Sequence, residues 1–72
     1  MKNPEHIKAF GNHLRKIRKQ KGWSQQHLAD VVNVPKVTIQ RIELAKSSAT
    51  LDMLVSIAIG LEIQLLELLD YQ

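Results

Sequence analysis

Residues 23–43 read WSQQHLADVVNVPKVTIQRIE, and this stretch decides the fold. Ser24 is placed to cap a first helix, because a serine hydroxyl accepts from the free N–H groups of a first turn. Three apolar residues then recur at the spacing of one helical face, namely Leu28, Ala29 and Val32. Asn33 tolerates the left-handed backbone of a helix end, and Pro35 suits the start of a second helix. The stretch therefore predicts two short helices joined by a tight turn.

The second of these helices has an apolar inner side and a mixed outer side. Ile39 and Ile42 form the inward stripe. Four outward side chains are candidates for reading base edges in DNA, namely Lys36, Val37, Gln40 and Arg41. In the major groove Arg or Lys fits guanine and Gln fits adenine. The pattern is that of a helix-turn-helix whose second helix reads DNA.

Several motifs at linked spacings resemble the phage-repressor (Cro-like) helix-turn-helix family. They are the run from Leu28 to Val34 and the run from Thr38 to Glu43, and the similarity extends from about Phe10 to Leu69. The chain departs from the family at three places, with Asn33 for Gly, Pro35 for a capping Ser, and Leu44-Ala45 for a basic residue and Gly. The resemblance implies an all-α fold, a compact bundle of four to five helices around a central helix-turn-helix, that binds double-stranded DNA.

The family also assigns roles to other polar residues. Five of them are expected to face DNA phosphates, namely Ser24, Gln25, Thr38, Lys46 and Ser48. Arg18 lies four residues after Leu14 and so points near the apolar stripe of the first helix, where it needs a partner. The resemblance implies that this partner is Glu43. We expect both members of the ion pair to be structural.

The remaining helices have weaker signals. A first helix is predicted from Asn3-Pro4-Glu5, with Asn3 as cap, to about Lys21, with Gly11 at a close helix contact and Gly22 as its end. Thr50 is expected to cap a fourth helix, and Gly60 to mark its end or a close contact. The inner face of that helix is predicted to consist of Leu51, Leu54, Ala58 and Leu61. For the tail, periodicity does not decide between helix and strand. The resemblance favours a short helix over 64–70, and an extended segment that pairs with a second subunit is the alternative.

Length and composition limit the class of protein. At 72 residues the chain is expected to be a single domain over 1–72, and it contains no Cys. The three histidines, His6, His13 and His27, are too scattered for a metal site of usual spacing. We therefore expect no metal, cofactor or enzymatic activity. No apolar run approaches a membrane span or a signal peptide, which predicts a cytoplasmic protein. The expected binding to DNA would make it nucleoid-associated.

Positive charge is concentrated in the first two thirds of the chain. Residues 1–22 hold seven Lys or Arg and one acid, net +6, and residues 23–46 hold three and two, net +1. Residues 47–72 hold four acids and no Lys or Arg, net −4. A phosphate polymer is attracted to the first two segments and repelled by the last. We expect the C-terminal third to face away from DNA, the alternative being that these charges only solvate helix surfaces.

The tail contains more apolar residues than one short helix can turn inward. They are Leu61, Ile63, Leu65, Leu66, Leu68 and Leu69, and a contiguous exposed patch of this kind usually marks a partner surface. We therefore predict a homodimer, and the helix-turn-helix leads us to expect that this dimer represses transcription from a palindromic operator. The alternative for the six residues is that all pack within a monomer. The alternative for function is an antitoxin that binds both its operator and a toxin protein, since Gly60-Leu61-Glu62-Ile63 is similar to the end of DNA-binding antitoxins with kinase-type toxins.

Overall fold

The computed structural model describes residues 3–71. It contains five helices in the order α1 (Pro4–Gln20), α2 (Gln25–Val32), α3 (Lys36–Glu43), α4 (Leu51–Leu61) and α5 (Leu65–Leu69). Within the described residues there is no strand, so the prediction of an all-α bundle is confirmed and the tail is helical. None of these helices is long and apolar enough to cross a membrane.

Two of the helices have an N-terminus that is capped by a side-chain hydroxyl. The Ser24 hydroxyl accepts from the His27 backbone N–H at 3.0 Å, and the Thr50 hydroxyl accepts from the Met53 N–H at 3.2 Å. Both caps agree with the sequence prediction. Asn3 precedes α1 but makes no side-chain cap bond, so Pro4 at the start and Glu5 in the first turn define that end.

Four helices end in the same backbone motif. Each is followed by a residue with positive φ, namely Gly22 (75°), Asn33 (60°), Ala45 (60°) and Glu62 (58°). In each case the next N–H bonds to a carbonyl five residues back, as in Trp23 to Arg18 at 3.1 Å and Lys46 to Arg41 at 2.8 Å. This is the Schellman arrangement, which satisfies carbonyls that the helix leaves free. The ends at Gly22 and Asn33 were predicted, whereas α4 continues through Gly60 to Leu61, and the residue with positive φ is Glu62.

The core is formed by side chains from all five helices. Its buried apolar residues are Phe10, Leu14, Leu28, Ala29, Ile39, Ile42, Ile57, Ala58, Leu61 and Leu68. The predicted inner position of Leu51 is wrong, because its side chain is 69% exposed while Ile57 is fully buried. Both residues lie on α4, which is apolar on most of its sides, so periodicity did not identify the inward side.

Two glycines permit close helix contacts. A Cβ on Gly11 would lie 2.6 Å from the Ile42 carbonyl oxygen, which places α1 directly on the last turn of α3. A Cβ on Gly60 would lie 2.9 Å from a Val31 methyl group, where α4 crosses α2. The predicted close contact at Gly11 is confirmed. Of the two roles predicted for Gly60, a helix end or a close contact, the close contact is confirmed.

The C-terminal segment is fastened to α1. His13 Nε2 lies 2.9 Å from the Glu67 carbonyl oxygen, and His6 Nδ1 lies 2.8 Å from the Tyr71 hydroxyl. The Tyr71 ring also meets Phe10 edge to face, with centroids 6.3 Å apart. Two of the three histidines thus join the ends of the chain, a contact that scattered positions in sequence do not reveal.

Candidate nucleic-acid interface

The outer face of α3 is open to solvent along its whole length. Val37 and Leu44, which lie about two turns apart with Gln40 and Arg41 between them, are 54% and 47% exposed. Lys36, Gln40 and Arg41 are exposed as well. All four base-reading candidates therefore share one free surface of the helix, and Thr38 lies half-buried at its margin. Ile39 and Ile42 face the core.

The other end of the site is a buried ion pair between α1 and α3. Arg18 Nε donates to Glu43 Oε2 at 2.7 Å, and Arg18 Nη2 donates to Glu43 Oε1 at 3.0 Å, so the ion pair is bidentate. Arg18 Nη1 donates to the Trp23 carbonyl at 2.7 Å. The Glu43 side chain is 0% exposed and that of Arg18 is 8% exposed. These bonds fix the last turn of α3 against α1, so the outer face of α3 has one defined orientation.

Two further side chains approach the same carboxylate. Gln25 Nε2 donates to Glu43 Oε1 at 3.1 Å, and Arg15 Nε lies 3.7 Å from that oxygen. Gln25 was expected to face phosphate. Its half-buried side chain instead turns inward and donates an amide N–H to Glu43. The first turn of α2 lies beside the Glu43 carboxylate of α3, a contact between two helices that the sequence does not reveal.

The start of α2 and the loop after α3 hold the remaining phosphate candidates. Ser24, Lys46 and Ser48 are exposed, and the Ser24 hydroxyl already caps α2. Ser47, which sequence analysis did not single out, accepts a hydrogen bond from Arg41 Nε at 3.1 Å. Its signal in the sequence is the polar run that directly follows a helix end.

The six apolar tail residues divide into two groups. Leu61 and Leu68 are fully buried in the chain's own core, so their predicted place in a dimer interface is wrong. Leu66 and Leu69 are 77% and 38% exposed, and Ile63 and Leu65 are half-buried. The physical reason is that α4 turns one side onto α2 and α5 turns one side onto α1 and α4. Apolar character alone does not distinguish such a core side from an outer side.

An apolar stripe on α4 was missed by sequence analysis. Leu51, Val55 and Ile59 are 69%, 39% and 71% exposed, and they repeat every four residues along one side of the helix. We call these three residues, together with Leu66 on α5, the C-terminal apolar surface. A helix that is apolar both inside and outside is the signal that would have identified it.

Comparison with known proteins agrees with this architecture. A model of the helix-turn-helix family matches residues 14–68 of the chain. The HTH-type transcriptional regulator SutR of Escherichia coli (strain K12) is 40% identical over 50 residues, which are 69% of this chain and 28% of SutR.

Two solved structures are similar over most of this chain. The restriction-modification controller protein C.AhdI from Aeromonas hydrophila has a TM-score of 0.84 at 29% identity, over 86% of this chain and 94% of that protein. An HTH_3 family transcriptional regulator from Vibrio cholerae has a TM-score of 0.88 at 31% identity, over 96% of this chain and 40% of that protein.

Because the family match covers more than half of the chain, the protein belongs to the helix-turn-helix family. The resemblance to Cro-like domains is thereby confirmed. The chain is a DNA-binding domain of the kind that transcriptional regulators carry, and α3 is the helix that the family places in the major groove.

Proposed function

We propose that the protein is a repressor that binds a near-palindromic operator as a homodimer, with residues 1–72 acting as one DNA-binding domain. The observation that supports this proposal is that α3 has an exposed outer face and is also held in place by the buried ion pair between Glu43 and Arg18. A helix held in this way enters a groove without losing its orientation. The protein would act on chromosomal DNA in the cytoplasm, and its function needs no catalytic step, metal or cofactor.

Gln40 and Arg41 are the proposed base readers, with Lys36 and Val37 beside them. An Arg pairs with guanine through O6 and N7, a Gln pairs with adenine, and an apolar side chain suits the thymine methyl group. The exposure of all four side chains on one face supports this assignment. Phosphate contacts are assigned to Ser24, Lys46 and Ser48, with the half-buried Thr38 at their margin.

Dimerisation is supported by size and by exposed apolar area. The Cα atoms extend over 30 × 23 × 21 Å, whereas successive major grooves on one face of DNA are about 34 Å apart. One copy therefore reaches a single groove. A twofold pair joined through the C-terminal apolar surface presents two copies of α3, and each then reads half of the operator.

The test begins with selection of duplex DNA from a random pool, followed by fluorescence anisotropy on the recovered site. If about eight phosphates are neutralised per dimer, log affinity falls with log salt at a slope near −7. Transcription in vitro from a promoter that contains the site is expected to fall as the protein is added. Recovery of no preferred sequence, or a slope near zero, would overturn the proposal.

Variants separate base reading from general attraction to DNA. Arg41→Ala is expected to cost about 1–3 kcal/mol of binding on the selected site and much less on random DNA. Lys8→Ala, on the exposed side of α1, removes the same charge and is expected to leave sequence preference unchanged. Equal loss on both DNAs for Arg41→Ala would assign Arg41 to the backbone instead.

The antitoxin alternative assigns the C-terminal apolar surface to a toxin protein. It predicts that protein isolated from its native host carries a second polypeptide in fixed proportion. The homodimer predicts a species of twice the chain mass with no second polypeptide, so mass measurement of the native complex separates the two.

A further inference from the structure

Two hydrogen bonds tie Arg41 to the loop that follows α3. The Arg41 carbonyl accepts from the Lys46 N–H at 2.8 Å, and Arg41 Nε donates to the Ser47 hydroxyl at 3.1 Å. The first bond belongs to the helix end at Ala45, whose φ is 60°. The way in which α3 ends therefore determines where Ser47 lies relative to the guanidinium.

The side-chain bond uses one particular nitrogen of Arg41. A guanidinium is a planar fork, and its two terminal nitrogens, Nη1 and Nη2, present parallel N–H groups that match O6 and N7 of guanine. Because Ser47 engages Nε, the bond holds one edge of the plane and leaves the terminal pair for a base. Arg41 itself is exposed on the outer face of α3.

We propose that Ser47 is a positioning residue that orients Arg41 for end-on pairing with guanine and so raises sequence discrimination. The inference rests on the proposed function, in which Arg41 reads a base. A long side chain that is ordered before binding loses less conformational freedom in the complex. Ser47 acts through Arg41 and does not touch the base.

The test compares Ser47→Ala with Ser47→Thr, which retains a hydroxyl. Affinities are measured on the selected site and on sites in which the base pair read by Arg41 is replaced. That base pair is identified as the one whose replacement lowers the affinity of the wild-type protein but not that of Arg41→Ala. Loss of the ordering effect of one side chain predicts about 2- to 10-fold weaker discrimination at that pair for Ser47→Ala. Affinity for random DNA is expected to stay unchanged, and Ser47→Thr is expected to retain wild-type discrimination.

A double variant shows whether the effect passes through Arg41. In an Arg41→Ala background, Ser47→Ala is expected to cause no further change. Ser48→Ala is the matched control in the adjacent position, and as a phosphate contact it is expected to weaken binding alike on every sequence.

Three results would overturn the positioning role: undiminished discrimination in Ser47→Ala, an equal loss on all sequences, or the same loss without Arg41. Each of them leaves sequence-specific binding by the wild-type protein intact. Absence of any sequence preference in the wild-type protein would instead overturn the proposed function itself.

Discussion

Glu43 is the residue on which the orientation of α3 depends. Arg18, Gln25 and Arg15 all approach its carboxylate, at 2.7, 3.1 and 3.7 Å. A fully buried carboxylate is stable only with such partners, because removal of its hydration is costly. The network joins α1, α2 and α3 at one point and leaves the opposite face of α3 free for DNA.

Glu43→Ala leaves the Arg18 charge buried without its partner and is expected to lower the free energy of unfolding by about 3–5 kcal/mol. Urea unfolding followed by circular dichroism measures this loss. The control is the double variant Arg18→Met, Glu43→Leu, which replaces the pair with apolar groups and is expected to be more stable than Glu43→Ala. A loss below about 1 kcal/mol in Glu43→Ala would mean that the pair is not needed to hold α3.

Ala45 adopts a left-handed backbone (φ 60°) that an L-residue with a Cβ adopts at a cost of roughly 1–2 kcal/mol. Ala45→Gly removes that cost, and the greater freedom of glycine in the unfolded chain offsets part of the gain. We expect a net stabilisation of about 0.5–1 kcal/mol in urea unfolding. Ala9→Gly, inside α1, is the same substitution in ordinary helical backbone and is expected to destabilise by about 1 kcal/mol. Destabilisation by Ala45→Gly would contradict the strained end of α3.

At the scale of elements, the contact between α1 and α3 depends on Gly11. Within a helix, Gly→Ala ordinarily stabilises by about 1 kcal/mol. Here the added Cβ would lie 2.6 Å from the Ile42 carbonyl oxygen and 2.9 Å from that of Glu43, and backbone atoms cannot move aside cheaply. The added methyl group must therefore separate the two helices.

Gly11→Ala is accordingly expected to destabilise the fold by about 1–3 kcal/mol and to weaken operator binding, since α3 shifts. Thermal unfolding and anisotropy measure the two effects. Gly60→Ala is the matched control, because the atoms nearest to its Cβ belong to the side chains of Val31 and Val32 and not to backbone, and it is expected to change stability less. Stabilisation by Gly11→Ala would show that α1 does not lie on the end of α3.

Helix boundaries were predictable where a local side-chain property decides them. Ser24 and Thr50 accept from the backbone of the first turn, and Gly22 and Asn33 tolerate positive φ. Ala45 and Glu62 adopt the same conformation although neither side chain favours it. Their backbone is set by the path of the chain to the next helix, which the side chains at these two positions do not indicate.

Part of the candidate site was likewise predictable from the sequence and part was not. The exposed face of α3 follows from helical period, because Ile39 and Ile42 define its inner side. Leu61 and Leu68 were placed in a dimer surface and lie in the core, whereas Ile59 lies outside. Several sides of α4 and α5 are apolar, so their orientation depends on contacts with α1 and α2 that only the folded chain shows. The Arg41 to Ser47 bond depends likewise on the end of α3.

At the scale of the whole molecule, charge and apolar surface lie on different parts of the chain. All seven Lys or Arg of residues 1–22 and the three of residues 23–46 precede α4, and residues 47–72 carry four acids with no Lys or Arg. The C-terminal apolar surface belongs to this acidic third. DNA is drawn toward the basic helices, and the proposed homodimer therefore uses α4 and α5 for its contact.

Ile59→Asp with Leu66→Asp places charges on two side chains that are 71% and 77% exposed, so the fold is expected to remain while a dimer separates. Sedimentation equilibrium at tens of micromolar is expected to give twice the chain mass for the wild-type protein and the monomer mass for the double variant. The affinity of the double variant for the full operator should fall toward that for a half-site, because the two copies no longer bind as one unit.

Val37→Asp is the matched control on the outer face of α3, where this residue is 54% exposed. It is expected to abolish operator binding and leave the dimer mass unchanged. A wild-type protein that stays monomeric, or a folded double variant that stays dimeric, would remove the C-terminal apolar surface as the dimer contact.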